Sequence, residues 1–152
     1  MFCKADTKDV KRVYDLICDM EERKLSYKDF ERIFNAQLKD ENYYCLVCRR
    51  EGELIAVLNL RFEEQLHHAG KIGEIMEFAV DEQYRGRGLG KEMLGLALIL
   101  AGERGCLQIE VACNQLRSDT HRFYLREGMH NFHYKFSKSL TGEKEMGNRI
   151  GR

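Results

Sequence analysis

Proline and tryptophan are both missing from the 152 residues. With no proline to set φ, every turn has to be made by Gly, Asn, Asp or Ser. A surplus of charge is also missing, because 25 Lys and Arg are matched by 25 Asp and Glu. A groove that tracks a nucleic-acid backbone leaves a basic excess, so nucleic acid is not an expected partner, while a local anion site stays open. No run reaches the ~18 uncharged apolar residues of a membrane span, and Met1 to Thr7 lacks the apolar stretch of a signal peptide. The expectation is a soluble, cytoplasmic protein with no membrane partner. What is present is a 43% apolar content, enough for one hydrophobic core and too much for a disordered chain. The length is that of a single domain of ~150 residues, expected over 1–140, with 141–152 as a polar, Gly-containing tail.

Cys3, Cys18, Cys45, Cys48, Cys106 and Cys113 are scattered among helix and strand patterns, unlike the dense framework of a small secreted domain, and are expected to be reduced. Cys45 and Cys48 have CxxC spacing in a strand-like run, where residues three apart point to opposite faces. No second pair completes a zinc site.

Apolar spacing predicts the elements. Thr7 can cap a helix carrying Val10, Val13, Tyr14, Leu16, Ile17 and Met20 on one face. Ser26 with Asp29 signals a second helix that buries Phe30, Ile33, Phe34 and Leu38. Tyr43 to Arg49 and Leu54 to Phe62 read as a hairpin, Glu63 to Lys71 as a loop, and Ile72 to Val80 as a strand. Gly88 to Arg104 is an apolar helix ending before Gly105, Leu107 to Cys113 a strand, Asp119 to Glu127 a short helix, and Phe132 to Ser137 a last strand. This order implies an α/β fold on a mixed sheet, antiparallel in its first half, with at least one parallel pair joined by the apolar helix.

The stretch with the most chemistry in it is Arg85-Gly86-Arg87-Gly88-Leu89-Gly90-Lys91, set between a strand and a helix. Glycines there let the backbone approach a ligand, and N–H groups at the helix start converge with the positive end of its dipole. Arg85, Arg87 and Lys91 add charge suited to a phosphate or pyrophosphate. A P-loop is excluded because Lys91 is followed by Glu92 rather than Ser or Thr, and a dinucleotide fingerprint because the glycines are evenly spaced by two.

The loop resembles the (Gln/Arg)-x-x-Gly-x-(Gly/Ala) signature of the GCN5-related N-acetyltransferase (GNAT) superfamily, and the element order over roughly 3–140 is similar as well. The resemblance implies acetyl-CoA as cosubstrate, its pyrophosphate held by the backbone of Arg87 to Lys91, with Arg85 and Gly86 completing the loop. It implies a central parallel pair splayed apart, with the pantetheine arm along Phe78, Ala79 and Val80. Asn114 is implied as a further contact to that arm, and His121 and Arg122 as contacts to the CoA phosphates. Leu66-His67-His68, Ile72-Gly73-Glu74-Ile75 with Glu77, and His121-Arg122-Phe123-Tyr124-Leu125-Arg126-Glu127-Gly128 together are similar to the bacterial aminoalkylphosphonate N-acetyltransferases of phosphonate metabolism.

Acetyl transfer to an amine needs a base for the ammonium proton and an acid for the departing thiolate. By resemblance Tyr124 is the candidate acid and Glu74 the candidate base, acting through a water. Glu77 is the second candidate, since strict alternation puts it on the opposite face unless a bulge intervenes. His67, His68 and Glu74 are candidates for acceptor binding, and a divalent metal is allowed by the resemblance although no ligand set for one is assigned. Lys71, Arg61, Arg126 and His133 are possible cationic partners of a phosphonate. No cysteine is placed to form an acetyl-enzyme, so direct transfer in a ternary complex is expected. Two other readings remain: an enzyme of the same fold for a polyamine, an aminoglycoside or a protein N-terminus, and a non-catalytic acyl-CoA sensor. Free sheet edges allow a homodimer.

Overall fold

A computed structural model describes residues 1–142; the tail from 143 onward, expected to be polar, lies outside the described residues. The chain divides into two compact units, Met1–Val111 and a second one beginning at Ala112.

The first unit is built on a five-stranded mixed sheet in the order β1 (Phe2–Lys4), β2 (Tyr43–Arg50), β3 (Glu53–Gln65), β4 (Gly70–Val80) and β5 (Gln108–Val111). Neighbours are antiparallel except β4 and β5, which run parallel. The β2–β3 turn places Glu51 and Gly52 at φ 52° and 82°. Two successive positive φ values make the mirror-image turn that matches strand twist, and the glycine makes the second of them cheap. The segment expected to be a loop, Glu63 to Lys71, is mostly strand: Glu63 pairs with Ile72, Glu64 with Lys71 and Gln65 with Gly70. Its charged residues sit on a ladder whose side chains reach water, so polarity alone was a poor sign of a loop. Only 66–69 turn the chain.

Helix α1 (Val10–Glu21) is entered through a 3₁₀ turn at Thr7–Asp9, and its cap is Asp6 rather than Thr7. The Asp6 carboxylate accepts from Lys8 N and the Asp9 carboxylate from Asp6 N, each at 2.8 Å. Thr7 is inside this capping box and has no capping role. Helix α2 (Tyr27–Leu38) starts as expected, with Ser26 Oγ accepting from Asp29 N, but Ile33 is 44% exposed and faces away from the core. The two helices meet through Tyr14, whose ring lies edge-on to Tyr27 and Phe30.

The sheet separates two apolar layers. Val10, Val13, Leu16, Ile17 and Phe34 cluster with Cys45, Val47, Val57 and Ala79, so α1 and α2 cover one face. The alternate residues face the other way, where α3 (Leu89–Glu103) lies over β3, β4 and β5. Gly73 is close under that helix: a Cβ added to it would stand 3.3 Å from the Cβ of Ala101.

In the second unit α4 (Ser118–Arg126) ends ahead of Gly128, which adopts φ 87°. The expected strand Phe132 to Ser137 is not formed. Phe132, Tyr134 and Phe136 are 79%, 82% and 91% exposed. Alternating aromatics favour a strand, but a strand exists only with a neighbour to complete its hydrogen bonds, and among the described residues none pairs with this one.

Candidate active site

Chemistry in the first unit gathers on β4. Glu74 is opposite Arg61, and Ile75 opposite Leu60, but Asn59 is opposite Glu77, so Met76 is an extra residue without a cross-strand partner. Asn59 and Arg61 are two apart on an unbroken stretch of β3 and share a face. The bulge therefore turns Glu77 onto the same face as Glu74, the condition under which it qualifies as a candidate base. That face is the one covered by α1 and α2, because Val57 and Ala79, the next pair on the same side, belong to their cluster.

The two carboxylates have different surroundings. Arg61 Nη2 donates to Glu74 Oε1 at 2.9 Å, and Glu63 lies 3.8 Å from the same nitrogen. Glu77 Oε1 accepts at 2.9 Å from Asn59 Nδ2, which also donates to Gln37 Oε1 at 3.0 Å. Burial raises the Glu77 pKa above the ordinary 4.5, the hydrogen bond from Asn59 opposes the rise, and the charges of Glu21 and Glu74 add to it. A small cavity of about 10 Å³, the room of one water, is lined in part by Gln37, Cys45 and Asn59. Asn59 and Gln37 were not picked out from the sequence. The available signal was a lone amide inside the apolar run from Leu54 to Leu60, and it is only 7% exposed.

His68 is half-buried and held: its Nδ1 is 2.8 Å from Gln65 Oε1 and its Nε2 3.9 Å from Glu110. His67 is exposed, its ring 4.3 Å from that of His68. Among the described residues no three His, Cys, Asp or Glu side chains are grouped to hold a metal ion.

The glycine loop continues directly from β4. Asp81 Oδ1 accepts from Gln83 N, and its other oxygen pairs with Arg12 of α1, which also donates to Leu54 O. The Gln83 N–H, ahead of the Arg12 guanidinium, keeps the Asp81 carboxyl below its usual range. Gly86 and Gly88 have φ of 74° and 81°, and a Cβ at either would meet nothing within 4 Å, so both border open space. The first backbone bond of α3 is from Glu92 N to Gly88 O, which leaves the N–H groups of Leu89, Gly90 and Lys91 without an acceptor in the helix. Arg85 Nε donates to Val80 O at 3.0 Å, and Arg87 stacks over Tyr84. The parallel ladder stops at Ile75 opposite Val111, where β5 ends, whereas β4 continues to Val80 beside the loop. Phe78, Ala79 and Val80 lie in that last part of β4.

In the second unit Asn114 organises the entry to α4. Its Oδ1 accepts from Leu116 N at 2.9 Å, and its carbonyl lies 2.7 Å from His121 Nε2. Arg122 pairs with Asp119. Tyr124 is buried, and burial, reinforced by Cys113 and opposed by Arg117, pushes its phenol up to about 12. The phenol keeps its proton throughout the neutral range.

A family model supplies the comparison that decides the class: the Acetyltransferase (GNAT) family model matches residues 10–129. The chain belongs to that family. It is 39% identical, over 90% of its own length and 88% of the other's, to an aminoalkylphosphonate N-acetyltransferase of Salmonella typhimurium strain LT2. Among solved structures it is similar to one described as a transcriptional regulator from Bacillus halodurans C-125, with TM-score 0.85, 22% identity, and 92% and 99% of the two chains covered. It also resembles a predicted acetyltransferase with acetyl-CoA from Clostridium acetobutylicum, with TM-score 0.78, 19% identity, and 95% and 99% covered.

The chain is thus an N-acetyltransferase of a family that uses acetyl-CoA. No helix among the described residues is long and apolar enough to cross a membrane. For a GNAT enzyme the state of the cysteines matters, because a thiolate could take the acetyl group. Burial raises Cys106 and Cys113, and pushes Cys45 up to about 12. These thiols hold their protons at neutral pH.

Proposed function

We propose that this enzyme, active in the bacterial cytoplasm, transfers the acetyl group of acetyl-CoA to the amine of an aminoalkylphosphonate, directly in a ternary complex. The observation that carries the acceptor class is the 39% identity, spread over 90% of the chain, to an enzyme of that name. The acetyltransferase domain is proposed to span 1–140.

The N–H groups of Leu89, Gly90 and Lys91, with the side chains of Arg87 and Lys91, are suited to the pyrophosphate of CoA. Open space over Gly86 and Gly88 supports this fit. The part of β4 beyond its ladder with β5, Phe78 to Val80, is proposed to take the amide-rich arm, and Asn114, His121 and Arg122 are proposed as further CoA contacts. Acetyl-CoA supplies an acyl group activated as a thioester. The acceptor nitrogen attacks the thioester carbonyl carbon, a C–N bond forms, the C–S bond breaks, and the sulfur leaves with its electron pair.

Proton transfer falls to this chain's side chains. Glu77, with its raised pKa and the hydrogen bond it accepts from Asn59, is taken as the base of the β4 pair, and Glu74, held by Arg61, orients the ammonium. Tyr124, protonated at neutral pH, is the donor to the thiolate. His67 and His68 are proposed to flank the acceptor.

A panel of amines assayed for CoA thiol release tests the reading. Turnover with aminomethyl- and 2-aminoethylphosphonate well above that with polyamines, aminoglycosides or peptide N-termini is expected, and the reverse ranking would overturn the acceptor class. Tyr124→Phe is expected to slow turnover by roughly a hundredfold with CoA affinity nearly intact. Lost affinity with unchanged turnover would remove the acid role.

A further inference from the structure

On β5, Glu110 stands opposite Glu74 in the parallel register, and Ile109 opposite Gly73. Ile109 lies beside Gly73 on the side of Ala101 and α3, so alternation sends Glu110 to the face that carries Glu74. Two carboxylates are thus neighbours across the β4–β5 pair, and they are not equally provided for. Arg61 Nη2 donates to Glu74 at 2.9 Å. Among the described residues Glu110 has no Lys or Arg partner: Gln108 Nε2 donates to its Oε2 at 2.6 Å, and His68 Nε2 lies 3.9 Å from the same oxygen. That second distance is too long for a hydrogen bond.

The neighbours of His68 decide which of its ring nitrogens carries the proton. Gln65 Nε2 donates to Glu63 Oε2 at 3.0 Å, and a carboxylate only accepts, so the Gln65 atom left for His68 is its carbonyl Oε1. That oxygen also only accepts, and its 2.8 Å contact with His68 Nδ1 therefore requires the proton on Nδ1. In the neutral ring Nε2 is left with a lone pair. Across the 3.9 Å gap two acceptors then face each other, the Nε2 lone pair and the Glu110 carboxylate, and a donor placed between them would satisfy both. The side chains of Glu74, Glu110 and His68 are 28%, 38% and 26% exposed, so all three are within reach of a ligand.

We propose that Glu110 and His68 Nε2 receive the ammonium of the acceptor, beside Glu74. A primary ammonium brings three N–H donors and a full positive charge, which matches two carboxylates and one lone pair. The chemical class read here is a protonated primary amine: a secondary ammonium leaves one of the three acceptors unpaired, and a quaternary one has no N–H to give. Gln65 touches no substrate and is a positioning residue. Without it the ring is free to take the other tautomer, donate Nε2–H to Glu110 and close the gap. This inference rests on the acceptor site proposed above on the β4 face, and not on the phosphonate.

The test compares the amine that turns over fastest in the panel with its analogue carrying a methyl group in place of the ammonium, used as an inhibitor. Glu110→Gln still accepts from Gln108 but has lost its charge. The KM of the amine is expected to rise about tenfold, as a charge-assisted hydrogen bond is lost, with kcat little changed. The inhibition constant of the methyl analogue and the KM of acetyl-CoA should stay as they were. Gln65→Leu is expected to raise the amine KM in the same selective way, and nitrogen NMR in mildly alkaline solution should show the His68 proton moved from Nδ1 to Nε2. Equal losses for the amine and its methyl analogue would mean that Glu110 only shapes the fold, and would overturn the proposal. An unchanged amine KM overturns it too, as does a His68 proton found on Nε2 in the unaltered protein. That last measurement needs no variant, so it decides even if a substitution fails to fold. A panel led by polyamines would remove the phosphonate acceptor and leave this test in force with the polyamine.

Discussion

The two faces of one sheet are put to opposite uses. Toward α3 it presents Leu46, Leu58, Leu60 and Ile75, all 3% exposed or less, opposite a helix whose Met93, Leu94 and Ala97 are equally buried. Toward α1 and α2 the same strands present an apolar half, Val47, Val57 and Ala79, and then a polar half, Asn59, Arg61, Glu74 and Glu77. Close packing holds the first face together, and hydrogen bonds tie down the polar half of the second. The extra residue Met76 is what admits both carboxylates to that half without turning Ile75 or Ala79 out of their layers.

The contrast is broken most sharply by substituting one residue on each face. Glu77→Gln is expected to cut kcat by about a hundredfold or more, as loss of a general base does, with the fold intact. Its effect on stability follows from the raised pKa: native Glu77 binds a proton more readily than the unfolded chain does. The stability this gives is full below the unfolded value of 4.5 and lost as pH rises through the folded pKa. The glutamine variant should therefore be at least as stable as the original at neutral pH in urea titrations, and the gap should close as pH falls. Leu58→Ala, on the dry face, is expected to do the opposite, losing about 3 kcal/mol in the same titration with turnover per folded molecule little changed. Equal stability losses from the two substitutions would erase the distinction.

A smaller effect sharpens the polar half. Asn59→Ala removes the donor that holds the Glu77 pKa down, so the acid limb of the pH–rate profile should move to higher pH. Stability should fall by about 1–2 kcal/mol, since Gln37 is left without its donor as well. A limb that moves to lower pH would show that Asn59 does not set the basicity of Glu77.

Much of this was legible in the sequence, for reasons that can be named. Period-two and period-3.6 patterns carry burial directly, so α1, α2, α3 and the β2–β3 hairpin could be read from Val13, Phe34, Met93 and Val57. The glycine loop was legible because Gly86 and Gly88 occupy backbone conformations that other residues resist. The bulge was not, since one extra residue in an apolar run leaves no compositional trace, and with it went the relation of Glu77 to Glu74. The strands around 66–69 were mistaken for loop because their outward positions are charged. Phe132 to Ser137 has the pattern of a strand, but a pattern states a tendency to pair and cannot say with what.

The claim on which most depends is that the Met76 bulge makes Glu77 the base. The pH dependence of kcat/KM for Glu77→Gln and Glu74→Gln beside the original enzyme tests it most directly. The expected result is a limb in the original that falls with decreasing pH through a pKa above 4.5, kept by Glu74→Gln and absent from a much slower Glu77→Gln. If Glu77→Gln keeps both the limb and a rate near the original, the base lies elsewhere and the role given to the bulge is wrong.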